Sequence, residues 1–168
     1  MTAPGATGPS PLDDFLRALA KLPPAPGIAF RGWAHPLGLP AHTVVTRLIT
    51  ATSADLTVAT AGWSAPALGI VVGRTGRDVT PFSALREAQE IVYAPGTMLR
   101  AHPGRVVAGL PARVYEELVV GDGQVRGMGI DPDEVYALVE GLAAEAAGAS
   151  LPPAIDPGYC ARFLDPLE

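Results

Sequence analysis

The run Ala88-Gln89-Glu90-Ile91-Val92-Tyr93-Ala94-Pro95-Gly96-Thr97 decides how this chain is read. An acid, Glu90, stands at the mouth of a short stretch of β-branched and aromatic residues, the composition of a half-buried strand. Pro95-Gly96 then supplies the fixed φ and the freedom at positive φ that a tight turn needs. Residues 97–101 read as the next strand. Upstream, Gly27-Ile28-Ala29-Phe30-Arg31-Gly32-Trp33 reads as a strand that carries an arginine in apolar company. Between the two lies Leu48-Ile49-Thr50-Ala51-Thr52-Ser53-Ala54-Asp55, a strand that ends in hydroxyls. An arginine, hydroxyls and a glutamate thus arrive on three separate strands.

Around these runs the chain is punctuated by 19 glycines and 18 prolines, so short strands and many turns are expected. Residues 43–50 are rich in β-branched side chains and predict a strand. Residues 54–61 predict a short helix capped by Ser53. Residues 68–72 form an apolar run suited to a buried strand, followed by a turn over 73–78 and a short strand at 79–80. Residues 105–110 and 112–120 add strand-like runs before the turn at Gly121-Asp122-Gly123. Helices are expected near both ends. Ser10-Pro11 with Asp13 and Asp14 opens one, with Leu12, Phe15, Leu16 and Leu19 at helical spacing until Pro23-Pro24 stops it. Asp131-Pro132-Asp133-Glu134 opens another that runs to about Ala147, with Val135, Leu138, Val139 and Leu142 on one face. The expected organisation is a flexible leader over 1–10, one domain over 11–149, and a Pro-rich tail over 150–168 that wraps the surface. Strands in excess, with helices near the ends and no regular strand–helix alternation, give an α+β domain built on antiparallel sheets.

Composition narrows the function classes. The chain has 168 residues, of which 48% are hydrophobic and 17% charged, enough to bury a core without cross-links. Lys plus Arg is 12 against 17 for Asp plus Glu, a net charge of −5. That balance disfavours nucleic-acid binding by phosphate neutralisation. The single Cys160 excludes an internal disulfide framework and, with no histidine near it in sequence, is a poor nucleophile candidate. His35, His42 and His102 stand in loops without carboxylate or cysteine partners at ligand spacing, so no metal site is expected. The start has no apolar core of a signal peptide, and no apolar stretch reaches the roughly 18 residues of a membrane helix. A cytoplasmic location is the default, with export by a route that needs no signal peptide left open.

The order Arg31-Gly32, then Ala51-Thr52-Ser53, then Glu90-Ile91-Val92 with Pro95-Gly96-Thr97, resembles the Arg-Ser-Glu class of ADP-ribosyltransferases across residues 27–101. The resemblance implies a split antiparallel β-sandwich with flanking helices and with NAD, as substrate, in the cleft between the sheets. It implies that Arg31 and Gly32 bind the phosphates or the adenosine-side ribose. It implies that Thr52 and Ser53 order the strand and the nicotinamide ribose, and that Glu90 is the catalytic acid near the cationic sugar. Such a protein is a mono-ADP-ribosyltransferase acting on a macromolecular acceptor, in most cases a protein, or an NAD glycohydrolase. Two positions depart from the family pattern. Arginine-modifying members carry Glu two residues before the catalytic acid, where this chain has Ala88, and Ala51 replaces the first serine of the hydroxyl motif. Strand alternation would place residues 88 and 90 on one face, so an alanine there argues against efficient arginine modification. NAD hydrolysis, another acceptor, and a catalytically silent interaction module on the same fold stay open. An unrelated α+β domain would instead leave Arg31 and Glu90 far apart.

Overall fold

The computed structural model describes residues 10–35 and 39–165. All but the last residue of the expected leader, part of the 34–42 loop and the last three residues lie outside these. Helix α1, Pro11–Leu19, begins where expected: the Ser10 hydroxyl accepts from the Asp13 N–H while the Asp13 carboxylate accepts from the Ser10 N–H, so each satisfies a donor the other exposes. The apolar face of α1 is only partly covered. Leu19 is buried, whereas Leu12 and Phe15 are exposed.

Ten strands follow the order β2-β7-β9-β4-β1-β3-β6-β5, with β8 and β10 both paired to β9. They are β1 Gly27–Trp33, β2 Val44–Val45, β3 Thr50–Ser53, β4 Ala67–Gly73, β5 Arg77–Asp78, β6 Glu90–Tyr93, β7 Met98–Ala101, β8 Arg105–Val107, β9 Leu110–Gly121 and β10 Gln124–Arg126. Pairing is antiparallel throughout except between β4 and β9, which run parallel. β4 is buried along its whole length, as its apolar run requires of a strand with neighbours on both sides and covered faces.

The sheet has two halves. They meet where Phe30 of β1 pairs with Ser53 of β3. The predicted strand over 43–50 is therefore two strands in different halves: β2 pairs with β7, and β3 pairs with β6. The Pro95-Gly96 turn, with Gly96 at φ 86°, does not close a hairpin but carries the chain from β6 in one half to β7 in the other. The two crossing points are laced together. Thr46 N–H donates to the Thr97 carbonyl at 2.9 Å, and Gly96 N–H donates to the Thr46 carbonyl at 2.7 Å.

Other local expectations are corrected by side-chain chemistry. The short helix α2 is Leu56–Ala59, and its cap is Asp55, whose carboxylate accepts from the Thr57 and Val58 N–H groups; Ser53 stays in the strand. The strand expected at 79–80 falls earlier, at β5, because Thr80-Pro81-Phe82 coils into a 3-10 turn. Helix α3, Pro132–Glu145, buries Val135, Tyr136, Val139 and Ala143, while Leu138 and Leu142 face outward. The Tyr136 hydroxyl sets that rotation by donating to the Pro103 carbonyl and accepting from Val114 N–H.

Three apolar clusters result. One lies under α2 and α3 around Phe30, Leu68, Ile70 and Val114. A second holds Trp33, Val71, Tyr93 and Tyr115. The third joins Ala51, Val58 and Ala88 to Ile155, Cys160 and Phe163. The last two residues belong to a 3-10 helix, Pro157–Phe163, whose Asp156 cap accepts from Gly158 N–H. A segment expected to wrap the surface thus inserts Cys160 and Phe163, both fully buried, beside β3.

Candidate functional site

Glu90 starts β6 directly opposite Ser53 in the β3–β6 register. It is a buried acid, 8% exposed, and it borders a cavity of about 600 Å³. The walls are largely apolar: Phe15, Leu19 and Leu22 from the α1 side, Ile49, Val79, Phe82 and Val92 from the sheet and its turns. The apolar face of α1 that the core leaves uncovered is the face that lines this space. Among the described residues two groups reach the Glu90 carboxylate. Tyr159 donates its hydroxyl at 2.9 Å, and the Arg162 guanidinium lies at 3.5 Å from the same oxygen, stacked over the Tyr159 ring at 3.7 Å. Burial raises the Tyr159 pKa, and the hydrogen bond to the acid raises it further, so the phenol stays a donor.

Ser53 and Thr52 serve the strand junction. Ser53 donates to the Ala88 carbonyl at 2.6 Å and accepts from Asp55 N–H, and Thr52 donates to the Ile91 carbonyl at 2.7 Å. These bonds fasten β3 to β6 and fix where the chain straightens at Glu90. Immediately before that point the strand geometry fails: Arg86–Ala88 is a 3-10 turn, and Gln89 sits in the left-handed region at φ 45°. Period-two alternation therefore does not extend back to residue 88. Ala88 is fully buried in the third cluster against the Cys160–Phe163 segment, and Gln89 is exposed beside the acid.

Arg31 lies next to Phe30 on β1 and is 2% exposed. Its guanidinium donates to the Ala51 carbonyl at 2.6 Å and to the Asp165 carbonyl, and Nε has no partner among the described residues. Burial lowers its pKa to about 10, opposed by the charge of Asp165, so it remains a cation at neutral pH. Arg31 is not part of the cavity wall. Gly32 is needed for close packing: a Cβ there would lie 2.8 Å from both the Ala59 carbonyl oxygen and the Ala65 Cβ, and against Leu164. The structure thus brings Ser53, Thr52 and Glu90 into one register. It joins Arg31 and Gly32 to them through a shared cover, residues 159–165.

Solved structures supply the architecture's relatives. The type III effector XopAI from Xanthomonas axonopodis pv. citri matches with a TM-score of 0.53 at 18% identity, over 64% of this chain and 48% of its own. The ADP-ribosyltransferase Vis from Vibrio splendidus, in complex with agmatine, matches with a TM-score of 0.51 at 22% identity, over 66% of this chain and 57% of its own. This chain has the ADP-ribosyltransferase fold. It spans about half the length of these structures. No protein-family model and no curated protein matches it.

On that fold, the residues sequence reasoning missed are Tyr159, Arg162 and Asp165. One local signal was legible, since Asp156-Pro157 is a helix-start pair. That Tyr159 and Arg162 turn toward Glu90 was not, because they lie 69 and 72 residues further along the chain. Among the described residues no cluster of metal-ligating side chains occurs, and no helix is long and apolar enough to cross a membrane. His102 instead bonds to Glu116 at 3.0 Å.

Proposed function

We propose that this chain is an NAD-using ADP-ribosyltransferase or NAD glycohydrolase, with Glu90 as the catalytic carboxylate. The observation that carries the reading is Glu90 itself: a buried acid on a cavity, held in register with Ser53, on this fold. Cleavage of the nicotinamide–ribose bond develops positive charge on the sugar. A carboxylate preorganised in a water-poor site stabilises that charge without having to reorient. Glu90 supplies it, and the Ser53–Ala88 and Thr52–Ile91 bonds hold its backbone in place. Thr52 and Ser53 contribute to NAD binding chiefly by that positioning. Arg31 is the cation for the pyrophosphate, with Gly32 allowing close approach beside it.

The acceptor follows from Ala88. Its burial leaves no polar side chain two residues before the acid, which disfavours arginine modification; water or another nucleophile on a protein is the acceptor this site suits. Gln89, exposed beside Glu90, is the polar side chain nearest in sequence to engage it. Nicotinamide release from NAD, compared between the wild type and Glu90→Gln, tests the reading. Loss of one preorganised electrostatic group should lower the rate by about 100-fold. Equal rates would remove Glu90 from the mechanism, and NAD binding without any release would assign the fold to a silent interaction module.

A further inference from the structure

We propose that residues 157–165 hold the NAD site shut, anchored by the buried Cys160 and Phe163, and that Leu164 and Asp165 must lift from Gly32 and Arg31 before NAD can engage Arg31; the inference rests on the functional reading above. Four contacts made by this one segment cover the site. Tyr159 and Arg162 meet the Glu90 carboxylate, Leu164 packs on Gly32, and the Asp165 carbonyl accepts from Arg31. At 2% exposure, the Arg31 guanidinium cannot receive a phosphate while Asp165 remains where it is.

The polarity of the cover is that of the ligand. The segment offers a cation, Arg162, to the acid that would face a cationic sugar. It offers an oxygen, the Asp165 carbonyl, to the cation that would face a phosphate oxygen. Arg31 keeps the Ala51 carbonyl on one guanidinium nitrogen in either state, and the segment supplies an oxygen to the other nitrogen when no phosphate does. Exchange of one oxygen for another then lets NAD and the segment compete for the same groups.

Ala88 belongs to this device. It is fully buried in the cluster that receives Cys160 and Phe163, where a longer polar side chain would have to displace their packing. The departure from the family pattern and the closure are one feature. Arg162 is 46% exposed and lies 3.5 Å from the Glu90 carboxylate, so it can turn into solvent while Cys160 and Phe163 stay in the core. With a closed form in excess, apparent NAD affinity is reduced by the open fraction, and weakening the latch restores it.

The experiment uses the full chain. NAD is titrated calorimetrically into the wild type and into the variant combining Tyr159→Phe, Arg162→Ala and Leu164→Ala, whose core residues Cys160 and Phe163 are kept. Amide hydrogen exchange over residues 157–165 is followed in the wild type with and without NAD. Closure predicts at least tenfold tighter NAD binding by the variant, a matching rise in nicotinamide release, and faster exchange of the segment in the wild type when NAD is bound. Equal affinities with unchanged exchange would overturn the closure and leave the NAD reading standing. Folded variant and folded wild type that both fail to bind NAD would overturn the NAD reading, and the closure with it. Should the triple variant unfold, Arg162→Ala alone, at an exposed position, and the exchange measurement on the wild type decide the matter.

Discussion

Glu116 on β9 and Glu90 on β6 are both buried carboxylates, yet their surroundings differ in kind. Glu116 is fully enclosed. It accepts from Arg100 at 2.5 Å, from Met128 and Gly129 N–H groups at 2.5 and 2.9 Å, and is bonded to His102. Its neighbour Glu117 accepts from the Arg74 and Thr75 N–H groups and from the Thr75 hydroxyl. These acids pin loops to the sheet, because each accepts from two backbone N–H groups in fixed positions as well as from side chains. Glu90 is bonded, among the described residues, by two side chains of a single segment, and no backbone N–H reaches it. A carboxylate saturated by fixed donors is structural; one held by side chains that can leave is available for a ligand.

The comparison breaks most visibly at Glu116. Replacing it by Ala strands the Met128 and Gly129 donors and removes the enclosed partner of Arg100 and His102, and should cost about 3 kcal/mol in urea-unfolding free energy. Chemistry should fail instead at the other acid. Glu90→Gln should cut nicotinamide release about 100-fold, equivalent to roughly 2.7 kcal/mol in the barrier, with the unfolding midpoint nearly unchanged since the amide oxygen still accepts from Tyr159. A stability loss at Glu90 as large as that at Glu116 would erase the distinction.

Acid titration sharpens it. Burial pushes the Glu116 carboxyl up, but the bonds from Arg100, His102, Met128 and Gly129 outweigh this and bring it to about 2, below its ordinary 4.5. A depressed acid contributes stability that is fully present above its unfolded value and is lost as pH falls through its folded value. Chemical denaturation should therefore show about 3 kcal/mol disappearing between pH 4.5 and about 2, and Glu116→Gln should flatten that slope. The smallest effect is expected at the latch. Arg162→Ala should change unfolding free energy by less than about 1 kcal/mol, because its side chain is half in solvent and meets Glu90 only at 3.5 Å. A loss of several kcal/mol there would make the segment a structural pin like the loops bound by Glu116.

Much of the candidate site was legible because its pieces are local. Glu90 at the head of an apolar run and Ser53 at the end of another follow from composition and turn chemistry. Alternation does not place Ala88, because residues 86–88 coil into a 3-10 turn and Gln89 is left-handed. The 43–50 run reads as one strand because β-branched composition says nothing about which neighbour each residue will pair with. Its division between β7 and β6 is set by partners far along the chain.

By itself the sequence determined strands β1, β4, β6 and β7, the capped start of α1, and the order of arginine, hydroxyls and acid. Each rests on side-chain period, β-branching or capping within a few residues. Only the tertiary structure decided that β4 and β9 run parallel, that the sheet divides at the Phe30–Ser53 pair, and that residues 159–165 lie over Arg31, Gly32 and Glu90. Those outcomes depend on which distant surfaces fill one another's space and which far donors reach a buried acceptor, and local periodicity carries no record of either.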